Sequence, residues 1–94
     1  MNYASRSTSS RKATLMFADY IQAAMRHATY ETLADGTYYG SIPGFQGVWA
    51  DAKTLEACRE ELAEVLEGWI LLRIADHLDL PEVDGHKLVV KASV

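Results

Sequence analysis

The sequence predicts a small α+β domain in which an N-terminal helix precedes three strands, one long helix and a closing strand. Three observations carry that prediction. Apolar residues recur at helical spacing before residue 28 and again from Leu55 onward, and the stretch between is rich in β-branched and aromatic residues. Asp35-Gly36 and Pro43-Gly44 punctuate that middle stretch where the chain has to turn. Pro81 and Asp84-Gly85 then separate the long helix from a final alternating run.

Met1 to Ala13 is mostly Ser, Thr, Arg and Lys with almost nothing to bury, so it reads as a disordered tail. Arg6, Arg11 and Lys12 could make it a basic arm, or they are simply solvated. Residues 14–94 then form a single domain. From Thr14, a candidate cap, to about His27, the residues Phe17, Tyr20, Ile21, Ala24 and Met25 fall at helical spacing. Asp19 near the start and Arg26 with His27 near the end suit the helix dipole.

The period then changes. Ala28 to Leu33 forms one strand, Asp35-Gly36 is a two-residue hairpin signal, and Thr37 to Ile42 returns. Pro43-Gly44 ends the second strand, because proline cannot donate to the ladder and glycine permits positive φ. Gly47 to Ala50 is long enough for a short third strand. Trp49 belongs in the core beneath the long helix or at an interface, with the core reading preferred.

The long helix is expected from an N-cap at Thr54 to about Leu78, with Glu56 in its first turn. At about 100° per residue, Leu55, Cys58, Leu62, Val65, Leu66, Trp69 and Leu72 share one broad stripe. Glu56, Glu60, Glu64 and Glu67 lie opposite. Leu71, Ile74 and Leu78 then appear on the glutamate side, so the helix end is apolar on both sides. The first helix or a second copy of the chain would cover it. Gly68 fits a close backbone approach there, or is a tolerated surface glycine. Pro81 is expected to stop the helix, Asp84-Gly85 to turn, and Lys87 to Ala92 to form the last strand.

A domain of this size buries only about 60–65% of its unfolded surface, which makes self-association an expectation. Hydrophobic residues make up 49% and charged residues 23%, which excludes wholesale disorder. The net charge of -4 disfavours nucleic-acid binding, since phosphate contact needs clustered Lys and Arg, and it suits a basic partner. Cys58, the one cysteine, rules out an intrachain disulfide and reads as a small core hydrophobe. The longest apolar run, Trp69 to Leu72, falls far short of the roughly 18 residues a membrane span requires. Asp19 interrupts the patch Leu15 to Ala18 that a signal peptide would need. The expectation is a cytoplasmic chain without membrane contact.

Candidate catalytic groups are sparse. His27, His77 and His86 have neither the i, i+4 pairing nor the Cys/His clustering of metal sites. Glu31, Asp35 and Asp51 lie near strand ends, where a two-metal nuclease would hold carboxylates, although Asp35 already has a turn to make and Asp51 a helix approach. The glutamate face is either an electrostatic docking surface or a solvated helix back.

Tyr30 to Pro81 resembles the HicB-like antitoxin domain. The resemblance rests on Asp35-Gly36-Thr37-Tyr38-Tyr39, on Ile42-Pro43-Gly44-Phe45-Gln46-Gly47-Val48-Trp49-Ala50, on Lys53-Thr54-Leu55-Glu56-Ala57-Cys58-Arg59-Glu60-Glu61-Leu62, and on Leu80-Pro81. It implies a β-β-β-α-β fold similar to part of the ribonuclease H fold without its catalytic carboxylates, and assembly as dimers or tetramers. It also implies neutralisation of a basic, mRNA-cleaving HicA-like toxin by covering its active surface. Many members continue into a DNA-binding domain. Only the residues of one strand follow the long helix here, so direct DNA binding is not expected. The helix over 14–27 is an addition to the family pattern.

The sequence thus reads as a non-enzymatic binding protein without cofactor or metal. Tyr39, Phe45 and Trp49 are the candidate anchors, Glu56, Glu60 and Glu64 the steering charges, and Leu71, Ile74 and Leu78 the candidate oligomer contacts. The alternative is a solitary homo-oligomer with no toxin partner. A metal-dependent nuclease is the third reading.

Overall fold

A computed structural model of the protein describes residues 17–87. The predicted tail over 1–13, the first residues of the predicted N-terminal helix and the closing strand lie outside these residues, save Lys87, which is in no strand. The architecture is α+β. Helix α1 covers residues 17–26, followed by β1 (Thr29–Thr32), β2 (Tyr38–Ser41), β3 (Trp49–Ala52) and α2 (Leu55–Ala75). The strands form an antiparallel sheet in the order β1-β2-β3, and α2 crosses one face of it, lying chiefly on β3 and β2.

Local chemistry sets each connection. The first hairpin loop is three residues, Ala34, Asp35 and Gly36, because Leu33 N–H donates to Thr37 O (2.7 Å) outside them. The expected two-residue loop is therefore corrected: Gly36, at φ +87°, closes a bulged turn. The Asp35 carboxylate accepts from the Thr37 N–H (3.0 Å) and hydroxyl (2.6 Å), which holds its pKa below the ordinary value. Two turns follow β2 in succession, Phe45 N–H to Ile42 O and Val48 N–H to Phe45 O, each 3.1 Å. Gly44 at φ +87° makes the first of them possible. The residues that begin and end these turns, Ile42, Phe45 and Val48, all point into the core.

The core joins Tyr20, Ala23 and Ala24 of α1, the double turn, Ala50 of β3, and Cys58, Leu62, Leu66 and Ile70 of α2. The buried line along α2 is thus a single i, i+4 ridge. This corrects the broad stripe expected from the helical wheel: Leu55, Val65 and Leu72 are exposed, and Ile70 is fully buried. Three short strands give the helix a floor only about one ridge wide, since adjacent strands lie about 4.8 Å apart.

Both ends of α2 have explicit caps. The Thr54 hydroxyl accepts from the Ala57 N–H at 3.0 Å, as predicted. The C-terminal end comes earlier than predicted, and Pro81 does not cause it. Leu78 N–H donates to Arg73 O (2.8 Å) and His77 N–H to Ile74 O (3.1 Å), a paired closure that puts His77 in the left-handed region at φ 57°. A side chain there is strained, whereas glycine is not. His77→Gly is expected to raise stability by about 0.5–1 kcal/mol, read from the denaturation midpoint, because relieved strain exceeds the added entropy of the unfolded chain.

Candidate functional site

The two faces of the sheet divide the candidate residues. Tyr30, Gly40 and Ala50 are cross-strand partners facing α2, and Cys58 Sγ lies 3.5 Å from Ala50 O. Successive residues alternate sides, so Glu31, Tyr39, Ser41, Trp49 and Asp51 face away from the helix. Burial pushes the Cys58 thiol up in pKa, with the Glu61 and Asp51 charges adding to it, and burial likewise raises Tyr30. The preferred core placement of Trp49 is corrected: the residue is 52% exposed, and its ring stacks on Tyr39 with centroids 6.0 Å apart and planes 24° apart. In the register, Glu31 and Asp51 stand opposite Tyr39 on its two sides. Their backbones are therefore about 10 Å apart with Tyr39 between them.

The glutamates lie elsewhere. Glu56, Glu60, Glu64 and Glu67 are exposed on the solvent side of α2, the opposite side of the two-layer domain from Tyr39 and Trp49. One flat partner surface cannot cover both groups. Further along the helix the solvent side becomes apolar: Leu71 is 58% exposed, Leu72 67%, and Val65 and Gly68 adjoin them. The three predicted oligomer contacts divide as well. Leu71 and Leu78 are exposed, whereas Ile74 packs against the core.

Phe45 is withdrawn as an exposed anchor. It is buried between Tyr20 (centroids 6.4 Å) and Trp69 (5.1 Å), because both turns that flank it direct it inward. Trp69 holds this crossing in place, donating its indole N–H to Gln46 O at 3.0 Å. Arg73 lies 4.8 Å above the Trp69 ring and donates to Asp79 O at 2.8 Å.

Sequence reasoning missed one polar pair. His27 Nε2 and Asp84 Oδ1 are 2.8 Å apart and join the end of α1 to the Asp84-Gly85 turn, while the Tyr20 hydroxyl donates to Pro81 O beside them. An open cavity of about 240 Å³ lies there, lined by His27, Pro43, Gly44, Phe45, Pro81 and Asp84. The residues are more than fifty positions apart in sequence, so no spacing signal could have paired them. Among the described residues no three or more His, Cys, Asp or Glu side chains are grouped to hold a metal ion, and no helix is long and apolar enough to cross a membrane. The three carboxylates weighed for a nuclease are not brought together: Asp35 is engaged in its loop, and Glu31 and Asp51 flank a ring.

A family model described as UPF0150-like matches residues 19–81, from within α1 to the proline after α2. In the solved structures, the protein TTHA0281 from Thermus thermophilus is similar at 33% sequence identity and a TM-score of 0.77, over 82% of this chain and 96% of that one. No curated protein matches.

Proposed function

The chain belongs to the UPF0150-like family, and we propose that it acts as a HicB-like antitoxin-type protein, binding and masking a HicA-like mRNA-cleaving toxin without catalysing a reaction. The resemblance to the HicB-like domain spans Tyr30 to Pro81, all of it inside the matched segment. The observation that carries the reading is the solvent side of α2, acidic along Glu56, Glu60, Glu64 and Glu67 and then apolar at Leu71 and Leu72. Like charges at i, i+4 destabilise a helix by about 0.2–0.5 kcal/mol per pair. Exposed leucines beside them gain nothing in a lone protomer. A basic partner with an apolar patch turns both features to use, the charges setting encounter and the leucines holding the complex.

The test is co-purification from the native cell followed by the mass of the intact complex. A basic small protein in that complex, whose RNA cleavage stops when this chain is added, supports the proposal. Recovery of the chain with only copies of itself sinks it.

A second reading, a solitary homo-oligomer, is favoured by one observation: Gly68 sits in the exposed apolar strip between Val65 and Leu72, with open space where a Cβ would be. A second copy could approach the backbone closely there. Gly68→Ala is expected to stabilise the lone protomer by about 0.8–1 kcal/mol through helix propensity. Under the second reading it also weakens self-association, measured by sedimentation. A gain in stability with unchanged association removes Gly68 from any such contact.

A further inference from the structure

We propose that the outer face of the sheet is a docking site for an arginine side chain presented by a basic polypeptide, with the guanidinium lying against the Tyr39–Trp49 stack between Glu31 and Asp51. The proposal deepens the protein-binding reading above and rests on it. It places a second contact on the side of the domain away from α2.

Three features point to this occupant. The first is the aromatic surface. Tyr39 and Trp49 are diagonal neighbours on β2 and β3, and their rings lie with centroids 6.0 Å apart and planes within 24° of each other. Trp49 leaves half its surface in water, and that half makes no packing contact in the free protein. The second is charge. Glu31 and Asp51 stand opposite Tyr39 on either side, and among the described residues neither has an ion-pair partner. Lys53, just beyond the end of β3, is exposed and pairs with neither among those residues. A planar cation fits a flat π surface flanked by two acceptors, since it can stack and donate hydrogen bonds in its own plane. An ammonium donates equally well but does not stack.

The third feature is a contrast within the same chain. Trp69 already carries a guanidinium, that of Arg73, which covers its ring and donates to a nearby carbonyl. Among the described residues Trp49 has no such partner. The vacant ring is the one stacked on Tyr39, which the two carboxylates flank. Stacked aromatics on a sheet can also receive nucleic-acid bases, but phosphate would meet Glu31 and Asp51 there, and the chain's net charge of -4 works against it.

The experiment titrates the full-length protein with hexa-arginine amide, hexalysine amide and a short oligouridylate. The readout is the indole N–H resonances of Trp49 and Trp69, told apart with a Trp49→Phe variant. Hexa-arginine is expected to move the Trp49 signal and leave that of Trp69, with hexalysine binding more weakly. Trp49→Ser should weaken hexa-arginine about two- to fivefold, the factor an exposed cation–π contact carries. Glu31→Gln/Asp51→Asn should weaken it by at least about fivefold, and Glu60→Gln/Glu64→Gln should leave the Trp49 response unchanged. All the substituted positions are exposed, and melting curves show whether the fold is kept.

No movement at Trp49, an equal loss in both acid double variants, or movement with oligouridylate alone overturns the proposal. If a native partner binds Trp49→Ser and Glu31→Gln/Asp51→Asn as tightly as the parent, this docking site is wrong and the masking function stands. If hexa-arginine behaves as expected and the native cell yields no partner, the docking site stands and the masking function falls.

Discussion

Gly40→Ala is expected to lower the stability of the fold by about 1–3 kcal/mol, the usual cost of forcing an extra methyl into a packed interior. Gly40 lies in the central strand between Tyr30 and Ala50, directly under α2. A Cβ there would sit 2.9 Å from the Tyr30 ring and 3.2 Å from Cys58 Sγ. The ring is half-buried and can swing toward solvent, which relieves the first clash and sacrifices its packing. Cys58 has less freedom, because it is fully buried at the start of the ridge that also holds Leu62, Leu66 and Ile70. It can retreat only if the first turns of the helix lift from the sheet. Cys58→Ala makes room for the new methyl, so the double variant should be more stable than the sum of the single losses predicts, a coupling that chemical denaturation resolves. A Gly40→Ala protein as stable as the parent would show that α2 does not sit this close to β2.

The features legible in the sequence are those fixed by neighbouring residues. Thr54 caps α2 because a hydroxyl at that position reaches an N–H three residues ahead, whatever the rest of the chain does. Pro43-Gly44 turns for an equally local reason. The burial of α2 is not legible in the same way. A helical wheel assigns Leu55, Val65 and Leu72 to the covered side by residue type, but the coverage depends on how much sheet lies beneath, and three strands of four residues cover little. The end of α2 escapes sequence reading because its closure is a backbone motif accepted by His77, where glycine would have announced it.

Trp49 shows how a signal present in the sequence can be outweighed. Its size suggests the core, yet Asp51 is two residues on in the same strand and must face water. Alternation then requires Trp49 to face water too. The same parity makes Tyr39 and Trp49 neighbours once Gly40 and Ala50 are known to face α2. Phe45 fails as an anchor for a different reason: two consecutive turns, each closed by a 3.1 Å hydrogen bond, reverse the chain around it and leave its ring inside. The candidate residues are thus identifiable individually, and their division between two opposite faces becomes visible only with the strand register.

Glu60→Lys/Glu64→Lys is expected to slow association with a basic HicA-like partner by at least about tenfold at low salt, within the range electrostatic steering spans. It should leave the fold almost unaltered. Glu56, Glu60 and Glu64 repel one another at i, i+4, so the parent carries two repulsive pairs along this line. The double variant replaces them with one attractive pair, between Glu56 and the lysine introduced one turn later, and one repulsive pair between the two introduced lysines. The second introduced lysine also exchanges repulsion for attraction with Glu61 and Glu67 at i, i+3, so the net effect is a gain in helix stability of about 1–3 kcal/mol. Stopped-flow association measured across salt concentrations separates the two effects. At about 1 M salt the screening length falls to about 3 Å, and the rates of variant and parent should converge. Equal rates at low salt would remove these glutamates from the mechanism. A loss of stability would show that Glu60 or Glu64 supports α2 itself. The dissociation rate should change little, because exposed charges at the rim of a contact act on encounter, whereas desolvated anchors govern residence. If the Tyr39–Trp49 face also holds the partner, Trp49→Ser should do the reverse, speeding dissociation while leaving the salt dependence of encounter intact.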